Sequence, residues 1–471
     1  MFTTTRTTTP MYKTGREAAD SLAAHDRTKG GNRAPTLDFF VSLLLILFIV
    51  YKISFVPETA MQVLKCLSIA LLILLHGRAM RHFDHFWAVV LLALVQPVCT
   101  LLAGETLMNG AYALVNGLCL ISMLLTFKSL SMSFGSFKVA DSFFWLLLAV
   151  SMANDISVFL SPLHRAETEY VLGNKFITGY THMLLIGLYA VLLSRKSGYV
   201  RYNWGLFWVL LVESAIVVTT ADTMTATIGL VIVAAMAVLL PKTAAKVLSI
   251  GVVAAAVLVA INVIFFATGM LLDNPYVQHF VTEILGRSLN LTGRTQIYDN
   301  LGFIVQMSPY VGWGYGSPVV SEVVGYGNAQ NGIMELLVRY GIVGTVGFLL
   351  VIIVLLPTLK SSAPIKDSGF VKGCVGVLYG MFVVSLVEIP FGGTVFYLMI
   401  SFISVMLKPD ATLALSPIES RPEMPGWNPR DLVQLRRRTT SKRFVKWSGR
   451  FRPEKPMRHV EGELGEVISQ H

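Results

Sequence analysis

Apolar residues fill most of this chain in long blocks, and polar residues are confined to the joints between them. A helix needs roughly 20 apolar residues to cross the hydrocarbon core of a bilayer. Blocks of that kind lie near 38–56, 60–76, 86–103, 110–127, 142–160, 177–194, 204–220, 224–240, 247–270, 333–356, 371–389 and 394–407. The pattern predicts an all-α polytopic membrane protein with about 12 transmembrane helices. Its long interruption is residues 271–332, where Val277, Phe280, Val281, Ile284 and Leu285 recur at helical spacing. They predict a short helix lying on the membrane surface. A second is predicted over Thr295–Met307, with Ile297, Leu301, Ile304 and Val305 on one stripe.

Composition agrees with that pattern, and charge gives it a direction. Only 14% of residues are charged and mean hydropathy is +0.63, against about 25% charged in soluble domains. The net charge of +10 is concentrated in the tails: 6 of the 38 Lys/Arg precede Leu37 and 13 lie from Lys408 onward. Basic tails beside a membrane meet anionic lipid, so membrane lipids are the implied partner and no nucleic acid is expected. With the N-terminus inside, the loops at 77–85, 128–141, 195–203, 241–246 and 357–372 hold 2, 2, 3, 2 and 3 Lys/Arg. The opposite loops at 57–60, 104–109, 221–223 and 390–393 hold none, as the positive-inside rule requires. The expected organisation is a cytoplasmic basic, disordered tail at 1–36, helices 1–9 within 37–270, an extracytoplasmic loop at 271–332, helices 10–12 within 333–407, and a cytoplasmic basic tail at 408–471. The first apolar block follows no signal-peptide pattern and is expected to be retained.

That topology leaves four cations on the outer face: Arg165, Lys175, Arg287 and Arg294. Arg294 falls where the second loop helix begins. A helix N-terminus offers free N–H groups to an anion and an arginine adds a bidentate fork, which suits a phosphate. An arginine that merely caps local structure is the alternative. Gly312, Gly314 and Gly316 alternate with Trp313 and Tyr315; glycines allow close backbone approach, and aromatic faces stack on sugar rings. Asp155, His182, Glu213 and Glu388 sit within or at the edge of spans, where ionisable groups line cavities or pair with one another. Asp155 and His182, with Arg165 and Lys175, are expected to wall an outward-facing cavity. Glu335 and Arg339 are spaced for an ion pair within one helix. Cys66, Cys99, Cys119 and Cys374 lie in apolar runs without metal or disulfide spacing. No HExxH, Walker A or other metal or nucleotide motif occurs, so neither metal nor cofactor is expected. An outer-face enzyme without ATP needs a membrane-bound substrate that arrives already activated.

The run from Thr292-Gly293-Arg294-Thr295 through Pro309, Gly312-Trp313-Gly314-Tyr315-Gly316 and Gln330-Asn331-Gly332 to Arg339-Tyr340-Gly341-Ile342-Val343-Gly344 resembles the signature segment of the O-antigen ligase/polymerase family. That family includes Wzy-type and exopolysaccharide polymerases. The resemblance implies a bacterial plasma-membrane glycosyltransferase, metal-independent and inverting. It would move a glycan from undecaprenyl diphosphate onto a lipid-linked repeat unit, alongside a flippase and a chain-length regulator, for capsule, exopolysaccharide or O-antigen synthesis. It also implies catalytic roles for Arg294, Arg287, Gln330 and Asn331, with substrate binding by Arg165, Lys175, His182, Trp313 and Tyr315. Two departures stand out. Gln330 occupies the place of a histidine that helps activate the acceptor in ligases, and glutamine cannot act as a base near neutral pH. The family arginine of a middle span is missing from Thr219-Thr220-Ala221-Asp222-Thr223-Met224-Thr225. Glu322, Asp222 and His279 are the remaining candidates for the base.

Two other readings stay open: a ligase delivering polymer to another carrier, and a flippase or transporter resting on the intramembrane acids. A non-catalytic assembly partner would tolerate Gln330.

Overall fold

The twelve apolar blocks all become helices. The structure, a computed structural model, describes residues 36–83, 85–160, 170–193, 202–269, 279, 294–358 and 368–407. The first eight helices are α1 (Leu37–Val50), α2 (Glu58–His76), α3 (Phe86–Leu102), α4 (Leu107–Phe134), α5 (Ser136–Leu160), α6 (Lys175–Leu193), α7 (Trp204–Thr220) and α8 (Met224–Leu239). A bent pair follows, α9 (Lys242–Leu248) and α10 (Gly251–Gly269), and then α11 (Arg294–Met307) and α12 (Val319–Val324). The chain returns through α13 (Gly332–Leu355), α14 (Ser368–Val384) and α15 (Thr394–Leu407). Among the described residues the β structure is one isolated bridge, Tyr170 to Gly173.

Among the described residues five helices are long and apolar enough to cross a membrane, and the α9–α10 pair, bent by 83°, makes a sixth if it is one span. The others are shorter apolar helices. In the centre, every residue of α6 from Thr178 to Leu192 and of α15 from Val395 to Leu407 is buried. Helices apolar all round belong in such a core. At the periphery α2 buries only Met61, Ser68, Ile69 and Leu72, which leaves most of its apolar surface outward.

Two predicted boundaries are corrected. The block at 38–56 is helical only to Val50; Pro57 holds its predecessor out of the helical region, and Ser54 N–H instead donates to Val171 O at 3.3 Å. The cytoplasmic loop expected at 128–141 shrinks to Gly135, because α4 continues to Phe134 and α5 begins at Ser136. Gly135 turns the chain at φ 87°, in the left-handed region open to glycine. Lys128, read as a loop cation, is buried with its ammonium 5.7 Å from the centre of the Phe83 ring. The surface helix expected around 277–285 and both predicted tails lie almost wholly outside the described residues.

Four contacts tie loops to the ends of neighbouring helices. Thr394 Oγ1 donates to Val50 O at 2.9 Å, and Lys175 pairs with Asp222. Tyr315 N–H donates to Thr100 Oγ1 at 3.1 Å, and Gly332 N–H donates to Ser385 O at 2.7 Å.

Candidate functional site

The segment 294–331 carries a small core of its own. Ile297, Leu301 and Ile304 of α11, the stripe read from the sequence, are fully buried against Val319, Val320, Ala329 and Val338. Arg294 is the first residue of α11, so it stands among the N–H groups that a helix leaves unpaired at its start. Its side chain, like all of Arg165 and Arg287, lies outside the described residues.

The glycine-aromatic stretch mends a broken helix. At Gly341 the backbone of α13 leaves helical geometry, with φ 60° and ψ −162°. The break frees two carbonyls before it and two N–H groups after it. Trp313 N–H donates to Val338 O at 2.7 Å and Gly314 N–H to Arg339 O at 2.8 Å. In return Ile342 N–H donates to Pro309 O at 2.8 Å and Val343 N–H to Tyr310 O at 3.1 Å. All four groups are thus paired, as buried backbone groups require. The close approach expected of these glycines is therefore made to the chain itself: a Cβ on Gly312 would stand 2.5 Å from Arg339 C. Trp313 is half-buried, and its indole N–H donates to Ile304 O at 2.9 Å. The Tyr315 ring has the Arg339 guanidinium 5.3 Å from its centre. Both aromatics lock the segment to its supports.

Beyond them the chain turns into α13 through Asn328–Asn331. Gln330 has a left-handed φ of 51°, and its Nε2 donates to Asn328 Oδ1 at 2.7 Å. Its carbonyl accepts from the Tyr298 hydroxyl at 3.0 Å, which ties α11 to the turn. Asn331 is fully buried and caps α13, its Oδ1 accepting from Ile333 N–H and Met334 N–H at 3.0 and 2.9 Å. Its Nδ2 donates to Asn262 Oδ1 of α10 and to Leu386 O, both at 3.0 Å. The geometry makes Asn331 a positioning residue for the turn that presents Gln330. Asn331→Ala is expected to cost about 1–3 kcal/mol, for the lost cap and the orphaned Asn262. Thermal unfolding in detergent measures this, and an unchanged midpoint would count against the assignment. Glu335 and Arg339 form the expected pair at 2.5 Å, and Glu335 Oε2 also accepts from Ala329 N–H at 2.8 Å.

Of the groups read as intramembrane, Asp155, His182 and Glu213 lie on α5, α6 and α7, and Glu388 is buried in the turn after α14. His182 on α6 is fully buried; its Nε2 is 3.0 Å from Asp155 Oδ1 and its Nδ1 is 3.0 Å from Ser214 Oγ. Glu213 Oε2 is 3.9 Å from the same Nδ1. Lys175 Nζ donates to Asp222 O at 3.2 Å and lies 3.7 Å from the Asp222 carboxylate. The sequence reading set Asp155 and His182 in the wall of one cavity with Arg165 and Lys175, left Glu213 out of it, and missed Asn262. A single asparagine in the apolar run of α10 was the available signal for the latter.

No curated protein matches the chain. A family model described as O-antigen ligase does match residues 205–349, from the start of α7 to the middle of α13. That stretch contains α11, the spliced break and the Gln330–Asn331 turn, so the chain resembles the O-antigen ligase/polymerase family in the segment where its polar architecture is concentrated.

Proposed function

We propose that this protein is a polysaccharide polymerase, transferring a growing glycan from undecaprenyl diphosphate onto a lipid-linked repeat unit. The observation that carries the reading is the placement of Arg294 at the N-terminus of α11, on a platform anchored to the break of α13, inside the stretch that matches the O-antigen ligase family. In this reading the helices make about 12 spans, by the roughly 20-residue rule, with both basic tails cytoplasmic. The loop at 271–332 then faces outward.

The chemistry follows from the leaving group. An acceptor hydroxyl attacks the anomeric carbon from the face opposite the diphosphate, the C–O bond to phosphate breaks, and the diphosphate leaves with the electron pair. Configuration inverts. Arg294 and Arg287 absorb the developing charge, with Arg165 and Lys175 next in line; preorganised charge of this kind is usually the largest catalytic contribution. These cations let the transfer proceed without a metal at the diphosphate. Gln330 orients the acceptor hydroxyl by hydrogen bonding, and exposed Glu322, in the first turn of α12, is the carboxylate this segment offers to its proton. Flippase and chain-length regulator are the working partners in this scheme.

A transporter is the second reading, favoured by the two interrupted helices, α13 at Gly341 and the 83° bend of α9–α10. Transporters use such interruptions to bind substrate or ions with free backbone groups. At Gly341 the chain's own loop occupies those groups, which favours the enzyme.

Purified protein incubated with synthetic lipid-linked repeat units is expected to give a ladder of longer products on a gel. Absence of growth, under conditions that support a related polymerase, would overturn the proposal. Transfer of finished polymer to a different carrier would make the protein a ligase, and movement of the lipid across a vesicle bilayer without growth would make it a flippase.

A further inference from the structure

Asp155 on α5, His182 on α6 and Glu213 on α7 converge within the bundle, away from the helices that anchor 294–331. One ligand atom from each lies within 4.8 Å of the other two. Asp155 and His182 are buried, and Glu213 is half-buried. Three different donor groups, brought from three helices to one point, make a ready-made set of ligand atoms for a cation.

The donor set indicates which ion. One imidazole and two carboxylates suit zinc and its first-row neighbours, whereas calcium and magnesium take six or more oxygens. The His182 Nε2–Asp155 separation of 3.0 Å needs to open by a few tenths of an ångström, and Glu213, whose Oε2 lies 3.9 Å from Nδ1, needs to swing to the same nitrogen, to give metal–ligand bonds of about 2.0–2.2 Å. Both ring nitrogens also face serine hydroxyls, Nδ1 at 3.0 Å from Ser214 Oγ and Nε2 at 3.4 Å from Ser151 Oγ. Whichever nitrogen takes the ion, the other keeps a partner that fixes the ring, as metal-bound histidines require. Glu213 stands at a 480 Å³ groove lined by Phe159, Trp208, Val209, Val212 and Ile216.

We propose that Asp155, His182 and Glu213 form a binding site for a divalent transition-metal ion of the zinc class, which cross-links α5, α6 and α7. The proposal is independent of the glycosyl-transfer reading. The test uses the full-length protein, purified in detergent on an affinity tag without histidine, stripped with a chelator and dialysed against Co²⁺. Wild type is expected to retain a single ion per chain with the intense visible bands of a low-coordinate site, and Zn²⁺ should displace it. His182→Gln and Glu213→Gln should each weaken retention by at least about tenfold, with gel filtration and helical content unchanged. If His182→Gln fails to fold, the half-exposed Glu213→Gln decides. The proposal is overturned if wild type holds no stoichiometric Co²⁺. It is equally overturned if folded variants hold as much as wild type, which would place the ion on surface histidines.

Discussion

Arg294→Ala is expected to lower polymer growth by about a hundred- to a thousandfold, the usual consequence of removing one preorganised group that stabilises charge in the transition state. The diphosphate cannot depart unless the charge it gains is met at once. Arg294 is the first residue of α11, where free N–H groups favour an anion, and in the proposed reaction its charge adds to theirs. Arg294→Lys should recover only part of the rate, because an ammonium lacks the bidentate fork. Neither change should unfold the segment, since α11 is held by Ile297, Leu301 and Ile304 and by the Tyr298 hydroxyl. The assay is growth from lipid-linked repeat units at matched protein levels. An alanine variant as active as wild type would remove Arg294 from the clamp.

Gly341→Ala is expected to cost about 3–6 kcal/mol, and with it most of the folded protein, from backbone strain and lost hydrogen bonds together. A Cβ there would sit 2.3 Å from both the carbonyl carbon and oxygen of Tyr310. These are backbone atoms that cannot swing aside. The conformation itself, φ 60° with ψ −162°, is one that side chains essentially exclude. Relief would require withdrawing the 309–314 segment, breaking the four hydrogen bonds that close the helix break. Gly327→Ala is the control, because a Cβ at that position meets nothing within 4 Å. Thermal unfolding of both variants in the same detergent decides; equal midpoints would refute the splice as a stabilising element.

The splice also shows where sequence reading stops. The apolar blocks, the α11 stripe and the Glu335–Arg339 pair were legible because each rests on side-chain periodicity within one stretch. The exchange at Gly341 is made by backbone atoms from two distant stretches, and main-chain groups carry no residue signature. Gly312 and Gly341 were its only trace, and the former suggested a ligand instead. Lys128 misled for a related reason: a cation over an aromatic ring can be buried, while a charge count treats it as loop. Asp155, His182 and Glu213 could not be grouped by spacing, since only the packing of three helices brings them together.

The single-residue joint at Gly135 bears on how freely α4 and α5 can move against each other. Phe127 and Phe143, equally far from it on either side, have ring centres 5.4 Å apart, so α4 and α5 form a hairpin with no slack. Neither helix can shift along the other without disturbing that contact. At 28 residues and 1.5 Å per residue, α4 is about 42 Å long, against about 30 Å of hydrocarbon. The tip of the hairpin is nevertheless not free: Phe134 and Ser136 are buried, and the Phe134 ring lies 4.9 Å from that of Phe39, so α1 clasps the joint and holds the excess length of α4 against the rest of the protein.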